Sequence, residues 1–116
     1  MDVTHDELAR RLGEGGLTVL DVRSPAEYRG DLGAPCDPRQ GHIPGALNVD
    51  VQELMRLDRE GIRTRLGLPE GAEIVAYCHS GARSALAVEV LRDAGYEARN
   101  YPGSWHEWSR AGGDEG

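Results

Sequence analysis

The sequence predicts an α/β domain of the doubly wound type, in which helices cover both faces of a mainly parallel sheet. Short apolar, β-favouring runs alternate along the chain with segments whose apolar residues recur at helical spacing. The segments between successive strands are long enough to hold a helix, as parallel pairing through crossovers requires. In folds of this kind, binding sites lie beyond the carboxyl ends of the strands.

Length and composition limit the number of domains. The chain has 116 residues, of which 39% are hydrophobic and 28% charged, as is ordinary for a globular protein. This length suffices for one hydrophobic core and is too short for two. We therefore expect one domain over residues 1–116, with a flexible tail over about 111–116.

Charge and cysteine usage argue against several classes of partner. The chain has 13 basic and 20 acidic residues, a net charge of −7, and its basic residues form no block. Nucleic acid and anionic membranes are poor partners for such a surface.

The amino-terminal residues do not resemble an export signal, and no eighteen apolar residues run together. Two cysteines are too few for a secreted disulfide scaffold, so we expect free thiols and a cytoplasmic location.

Capping signals mark the first two predicted helices. Residues 4–7 (THDE) and 24–27 (SPAE) both have the spacing of a capping box, and Pro25 takes the favoured first helical position. Between these helices, residues 17–22 (LTVLDV) are typical of a strand that delivers polar side chains at its end. Residues 30–41 are rich in Gly, Pro and Asp, which predicts a loop.

The second half of the chain continues the alternation of strands and helices. We expect a helix over residues 50–59 with Leu54 and Leu57 facing the core, and a last short helix capped by Ser104 with Glu107. The other predicted elements are a turn and short strand within 42–49, a strand over 74–77, a helix over 82–93 closed by Gly95, and a strand over 97–101.

A cysteine stands at the junction between the predicted strand 74–77 and the helix that follows. Cys78 opens the polar segment CHSGAR, which ends at Arg83. Backbone N–H groups curled around Gly81, the start of the next helix and the charge of Arg83 would all favour a reactive thiolate. The plain alternative is that Cys78 is a packed small hydrophobe, which is the more common role of an isolated cysteine.

Four segments of the chain resemble the signatures of one family. CHSGARS is similar to the active-site loop of rhodanese-like sulfurtransferases, and LDVRSPAEYRG, GHIPGALNV and GYEARNYPGSWHEWSRAGG resemble three further signatures. They occur in the family's order and spacing and extend over nearly the whole chain. On these motifs the chain is identified as a member of that family, in the form of a single-domain rhodanese.

The resemblance implies a sheet of about five strands and a catalytic cysteine. Cys78, exposed and ionised, would take sulfur from thiosulfate or another sulfane donor, hold it as a persulfide, and pass it to cyanide or a thiol, which could belong to a sulfur-carrier protein. No metal and no cofactor are implied. The expected persulfide-binding loop consists of His79, Ser80, Gly81, Ala82 and Arg83.

Two other functions use similar loops and stay open as alternatives. Phosphatases and arsenate reductases place five residues between the cysteine and the arginine, whereas four separate Cys78 from Arg83 here, so the smaller ring suits a sulfur atom. Non-catalytic binding modules with this fold usually lack the cysteine. Members specialised for thiosulfate often carry basic residues after the cysteine, where this chain has His79 and Ser80. The donor therefore stays open, and we interpret His79 as loop scaffold.

Polar residues at the end of the first strand are weaker candidates for the site. Asp21 and Arg23 should lie at the end of a strand beside that of Cys78, so either could face the pocket. We favour a structural network instead, with Arg23 binding Glu27 or loop carbonyls.

Cys36, His42 and the tryptophans also have plain interpretations. Cys36 and His42 lack nearby partners for a tetrahedral metal site, and His42 suits a turn. A resolving role for Cys36 toward Cys78 is a minor alternative. Trp105 and Trp108 should anchor the last helix to the core, with a pocket wall as the lesser possibility.

Overall fold

Four parallel strands form the sheet of the described structure. The computed structural model describes residues 2–12 and 14–111, so the expected tail lies outside the described residues apart from Ala111. Every strand pairing is parallel, in the spatial order β2-β1-β3-β4, which confirms the predicted parallel sheet. The strands are β1 (Thr18–Asp21), β2 (Leu47–Asn48), β3 (Glu73–Tyr77) and β4 (Glu97–Asn100).

Helices cover both faces of this sheet, as predicted. The side chains of successive strand residues point to opposite faces, so Leu20 packs in one buried cluster and its neighbour Val19 in the other. Leu54 and Leu91 belong to the first cluster, whereas Leu8 belongs to the second. The helices are α1 (His5–Leu12), α2 (Pro25–Arg29), α3 (Val51–Arg56), α4 (Arg59–Leu66), α5 (Ala82–Asp93) and α6 (Ser104–Trp108).

The sheet is close to the expected five strands. The backbone N–H of Val3 donates to the carbonyl of Asn100 at 2.8 Å, so the segment before α1 bonds to the last residue of β4. Residues 2–4 have no regular secondary structure, and the described strands therefore number four. This arrangement is consistent with a sheet of roughly five strands.

The expected helix over residues 50–59 is wrong in its extent. Helix α3 ends at Arg56, Leu57 is extended (φ −97°, ψ 148°), and a second helix that we did not predict follows. The Asp58 side chain accepts a hydrogen bond from the Gly61 N–H at 2.8 Å and so starts α4. Leu54 is buried as predicted, whereas Leu57 is only partly buried. An Asp at a helix start is a common cap, so the signal for α4 was present.

Other local predictions are confirmed. The Ser24 hydroxyl accepts from the Glu27 N–H and the Glu27 carboxylate accepts from the Ser24 N–H, which completes the capping box of α2. Helix α5 has the predicted bounds, and Gly95 follows its end with φ 102°. Within the described chain, no helix has the length and apolar character needed to cross a membrane.

Candidate active site

The cysteine loop connects β3 to α5 at the carboxyl edge of the sheet. Cys78 comes directly after β3, and α5 begins at Ala82 with Gly81 as its N-cap. Gly81 has φ 99°, a positive value that glycine adopts without strain. A Cβ at this position would lie 2.8 Å from the carbonyl oxygen of Pro102. The loop therefore depends on a glycine, for its backbone conformation and for its close approach to the segment before α6.

Backbone amides of the loop surround the Cys78 sulfur. The Gly81 N–H donates to Sγ at 3.0 Å, and the Ser84 hydroxyl lies 3.4 Å from Sγ. Burial by itself would raise the pKa of the Cys78 thiol, but hydrogen bonds from the Ser84 hydroxyl and from the N–H groups of Ser84, Gly81 and Ser80 outweigh it and lower the pKa. The site therefore favours a thiolate, and the expected inward-facing amides are present.

The expectation that the Cys78 sulfur is exposed is wrong, because the residue is only 1% exposed. The first turn of α6 lies against the loop: Trp105 N–H donates to the Cys78 carbonyl and His106 N–H to the His79 carbonyl, both at 2.9 Å. Sequence patterns did not reveal this cover, since it joins segments more than twenty residues apart.

Ser104 has a different role from the predicted cap of α6. Gly103 is the N-cap residue of α6 and makes no side-chain cap, whereas Ser104 lies inside the helix with φ 55°. Its hydroxyl accepts from the Cys78 N–H at 3.1 Å and donates to the Tyr101 carbonyl at 2.8 Å. Ser104 is fully buried and fixes the backbone of the cysteine. The capping-box spacing with Glu107 concealed this contact.

Arg83, the predicted loop cation, forms an ion pair with Glu27 of α2. Its guanidinium donates to Oε1 at 3.0 Å and to Oε2 at 3.2 Å. Burial works against ionisation of Glu27, but the hydrogen bonds and charge of Arg83, with the bonds from Ser24, lower the pKa of Glu27 to about 2. Of the two kinds of partner expected for Arg23, Glu27 is bound by Arg83 instead, and a loop carbonyl is the one observed.

His79 is held by a buried carboxylate. Its Nε2 lies 2.9 Å from Oδ2 of Asp37, whose side chain is fully buried and whose Oδ1 accepts from Arg110 at 2.8 Å. Asp37 belongs to the predicted loop 30–41, so this bond ties that loop to the cysteine loop. The contact supports the interpretation of His79 as scaffold.

The described residues include one cluster with metal-ligand chemistry. Single ligand atoms of Asp37, His79 and His106 lie within 4.8 Å of one another. The Arg110 guanidinium donates to Asp37 Oδ1 and lies 3.2 Å from His106 Nδ1. Its positive charge stands where a cation would have to bind, so we interpret the cluster as a hydrogen-bonded network.

Asp21 and Arg23 form the structural network that the sequence favoured. Both are buried, and Arg23 makes bonds of 2.9 and 2.7 Å to the two Asp21 oxygens. The Tyr77 hydroxyl donates to Asp21 and accepts from the Ile43 N–H, each at 2.9 Å. Arg23 also binds the Gly41 carbonyl at 2.6 Å, one of the expected loop carbonyls. Neither side chain faces an open pocket.

The remaining candidates lie apart from the cysteine loop or support it. His42 binds the Tyr28 carbonyl at 2.8 Å and stacks on the Tyr28 ring, which fits a turn. Cys36 is a free, exposed thiol. Trp105 and Trp108 are 2% and 5% exposed in the core, which confirms their anchoring role.

An open cavity of about 540 Å³ lies beside the cysteine loop. Ser80 contributes from the loop, and Pro102, Gly103, His106 and Glu107 contribute from the start of α6 and the segment before it. A group bound there would contact the cysteine loop at Ser80 and the start of α6, whereas Cys78 itself is not among the lining residues.

The family model of the rhodanese-like domain matches residues 4–111. The chain belongs to the rhodanese-like domain family. Over 90% of its length, this rhodanese-like domain aligns at 37% identity with the thiosulfate sulfurtransferase of Azotobacter vinelandii. The alignment covers 41% of that protein, so the chain spans about two fifths of the length of such curated relatives.

Solved structures confirm the rhodanese fold. The crystal structure of a "probable thiosulfate sulfurtransferase" superimposes with a TM-score of 0.82 at 50% identity, covering 94% of this chain and 44% of that one. The human single-domain sulfurtransferase TSTD1 superimposes with a TM-score of 0.74 at 31% identity, covering 96% of both chains. The predicted doubly wound α/β class and the family resemblance are therefore both confirmed.

Proposed function

We propose that this rhodanese-like domain is a sulfurtransferase that carries sulfur on Cys78. The observation that carries the proposal is the hydrogen bond from the Gly81 N–H to Cys78 Sγ, together with the N–H groups of Ser80 and Ser84 that favour the thiolate. A thiolate is the reactive form of cysteine. Relatives of the chain are named as sulfurtransferases, which supports sulfur transfer here.

The reaction proceeds in two displacements. In the first, the Cys78 thiolate attacks the outer sulfur of the donor, an S–S bond forms, and the donor's own S–S bond breaks. With thiosulfate the leaving group is sulfite, and with a persulfide it is a thiolate. In the second displacement, cyanide or a thiolate attacks the outer sulfur of the Cys78 persulfide and restores the Cys78 thiolate. Electrons balance within each step, so no external oxidant is needed.

The loop amides have a second use in this cycle. The persulfide is an anion like the thiolate, and N–H groups aimed at the loop centre stabilise such charge without reorganisation. His79, Ser80, Gly81, Ala82 and Arg83 thus form the persulfide-binding loop of the proposal. The cavity beside Ser80 offers space for a small anionic donor, a thiol or the thiol of a sulfur-carrier protein.

The proposal includes a cytoplasmic location and a single rhodanese domain. Both Cys36 and Cys78 are free thiols, as a reducing compartment such as the cytoplasm would keep them. The family match over 4–111 supports a single rhodanese domain in this chain.

One observation favours a second candidate, a non-catalytic binding module. Cys78 is 1% exposed, as a packed structural cysteine would be. The two candidates differ in the loop: a structural thiol in an apolar site has a raised pKa, whereas the donors around Sγ lower the pKa of Cys78. Sulfur transfer is therefore the better supported function.

A turnover assay tests the proposal. The protein is mixed with thiosulfate or a glutathione persulfide and with cyanide, and thiocyanate is measured. We expect thiocyanate formation above the uncatalysed rate with the wild type and with Cys36→Ser, and none above that rate with Cys78→Ser, with the same thermal unfolding midpoint as a check on folding. Turnover that survives Cys78→Ser, or none with either donor, would overturn the proposal.

Phosphate release from a generic phosphate ester would instead favour a phosphatase, and a partner retained equally by Cys78→Ser would favour the binding module.

A further inference from the structure

Both side chains of the cysteine loop that can carry positive charge are matched with a carboxylate. Within residues 78–83, all of which are described, these side chains are His79 and Arg83. His79 lies 2.9 Å from the Asp37 carboxylate, and Arg83 makes two hydrogen bonds to Glu27. The permanent cation of the loop, Arg83, is therefore neutralised by its own carboxylate, whereas His79 shares the single charge of Asp37 with Arg110, which lines the cavity beside Ser80.

The position of the Glu27 carboxylate is fixed by helix α2. Its Oε1 accepts from the Ser24 N–H and from the Ser24 hydroxyl, each at 3.1 Å, and also from Arg83 at 3.0 Å. The Glu27 side chain is only 17% exposed, whereas that of Arg83 is 40% exposed. Arg83 would have to give up a partly desolvated ion pair in order to turn toward an incoming anion.

Donors differ in how much they need a free cation. Thiosulfate has two negative charges, so the attack of a thiolate on it brings three negative charges together and releases a doubly charged sulfite. The anion of cysteine persulfide has a net charge of −1, because its ammonium and carboxylate cancel, and it leaves as a cysteine thiolate of the same net charge. The chain's net charge of −7 adds a repulsion that is stronger for the doubly charged donor.

We propose that Glu27 is a specificity-determining residue that neutralises Arg83 and thereby directs the domain toward low-charge persulfide donors and away from thiosulfate. The inference rests on the proposed sulfurtransferase function and names its donor class. The loading step is then Cys–S⁻ + R–S–S⁻ → Cys–S–S⁻ + R–S⁻, in which one S–S bond forms, one breaks and the charge is conserved.

The substitution Glu27→Gln isolates the charge from the cap. Gln also serves at the third helical position of a capping box, so α2 keeps its start while Arg83 loses its counter-charge. The control is Glu89→Gln in α5, an exposed position that makes the same change in net charge. Thermal melts of both variants check that they are folded.

The kcat/KM ratio for thiosulfate over cysteine persulfide is the readout. We expect Glu27→Gln to raise this ratio by about tenfold, the size of change that a nearby charge commonly produces, and Glu89→Gln to leave it within about twofold. In parallel, thiosulfate should bind more tightly to the double variant Cys78→Ser with Glu27→Gln than to Cys78→Ser alone, a comparison that needs no turnover.

Each outcome decides between the claims. A ratio that is unchanged or lowered in folded Glu27→Gln overturns the specificity role while leaving sulfur transfer intact. An equal rise in Glu89→Gln also overturns it, because net charge and not the ion pair would then be responsible. Absence of turnover with both donors in the wild type is a failure of the proposed function itself, and the donor preference falls with it.

Discussion

Ser84 Oγ, in the first turn of α5, lies 3.4 Å from Cys78 Sγ. The same hydroxyl lies 2.6 Å from Asn100 Oδ1 and 3.2 Å from the Gly81 carbonyl. A hydroxyl has one proton to donate, and the shortest of these contacts is the one to Asn100. The Gly81 N–H, which donates to Sγ at 3.0 Å, therefore makes the shorter hydrogen bond to the thiolate.

Loss of the Ser84 hydroxyl should change the Cys78 pKa only modestly. A hydrogen bond to a charged group contributes about 1.5–3 kcal/mol, and one pKa unit corresponds to about 1.4 kcal/mol. Because Asn100 competes for the proton, we expect Ser84→Ala to raise the pKa of Cys78 by less than about one unit. Thiolate absorbance against pH in a Cys36→Ser background measures it. A rise of about two units would show that the hydroxyl, and not the amides, holds the thiolate.

Gly81→Ala should damage the loop in two ways. The positive φ costs about 1–2 kcal/mol for a residue with a Cβ, and the new Cβ would lie 2.8 Å from the Pro102 carbonyl oxygen. Gly67→Ala is the matched control, because Gly67 has φ 68° but its added Cβ would meet nothing within 4 Å. Denaturant unfolding should show a larger loss for Gly81→Ala, together with slower sulfur loading. Equal losses of stability in the two variants would show that the close contact with the Pro102 carbonyl is not destabilising.

Two substitutions of Ser104 separate the cost of backbone strain from the cost of a lost hydrogen bond. Ser104→Ala keeps the unfavourable φ of 55° and leaves the buried Cys78 N–H without its partner, which costs about 1–3 kcal/mol. Ser104→Gly loses the same bond but relieves the strain, so it should be the more stable variant by up to about 1–2 kcal/mol. Chemical denaturation of both variants gives the difference. A less stable Ser104→Gly would mean that backbone strain at this position is negligible.

The ion pair of Glu27 and Arg83 should make stability depend on acid pH. Folding lowers the pKa of Glu27 from 4.5 to about 2, so the pair's contribution is fully present above about pH 4.5 and is lost as pH falls through about 2. The stability difference between wild type and Glu27→Gln should therefore be larger at pH 7 than at pH 3. Urea unfolding at the two pH values measures it. A difference that is independent of pH would contradict the assigned ion pair.

Local signals were sufficient for much of the fold and for the cysteine loop. The capping box of α2 and the bounds of α5 each follow from residues close together in the sequence. The end of α3 was missed because Leu57, which stands at helical spacing from Leu54, lies in the extended break before α4. Periodicity alone did not separate the two short helices.

The contacts that surround the cysteine were not predictable from local patterns. Arg83 meets Glu27 over 56 positions, and His79 meets Asp37 over 42. Each pair is joined only when the sheet brings its segments to one edge. The cover of α6 over Cys78 has the same origin, so the burial of the sulfur could not be read from CHSGAR. The sequence indicated the chemistry of the loop. The pairing of its charged side chains with carboxylates could be seen only in the folded structure.

The central claim is that Cys78 accepts sulfur. The most direct measurement is intact-protein mass spectrometry after incubation with glutathione persulfide and removal of the donor, followed by peptide mapping. We expect one added sulfur, about 32 Da, on the peptide that contains Cys78, and its loss when cyanide is added. An unmodified Cys78, with no adduct or with the sulfur on Cys36 alone, would contradict the account.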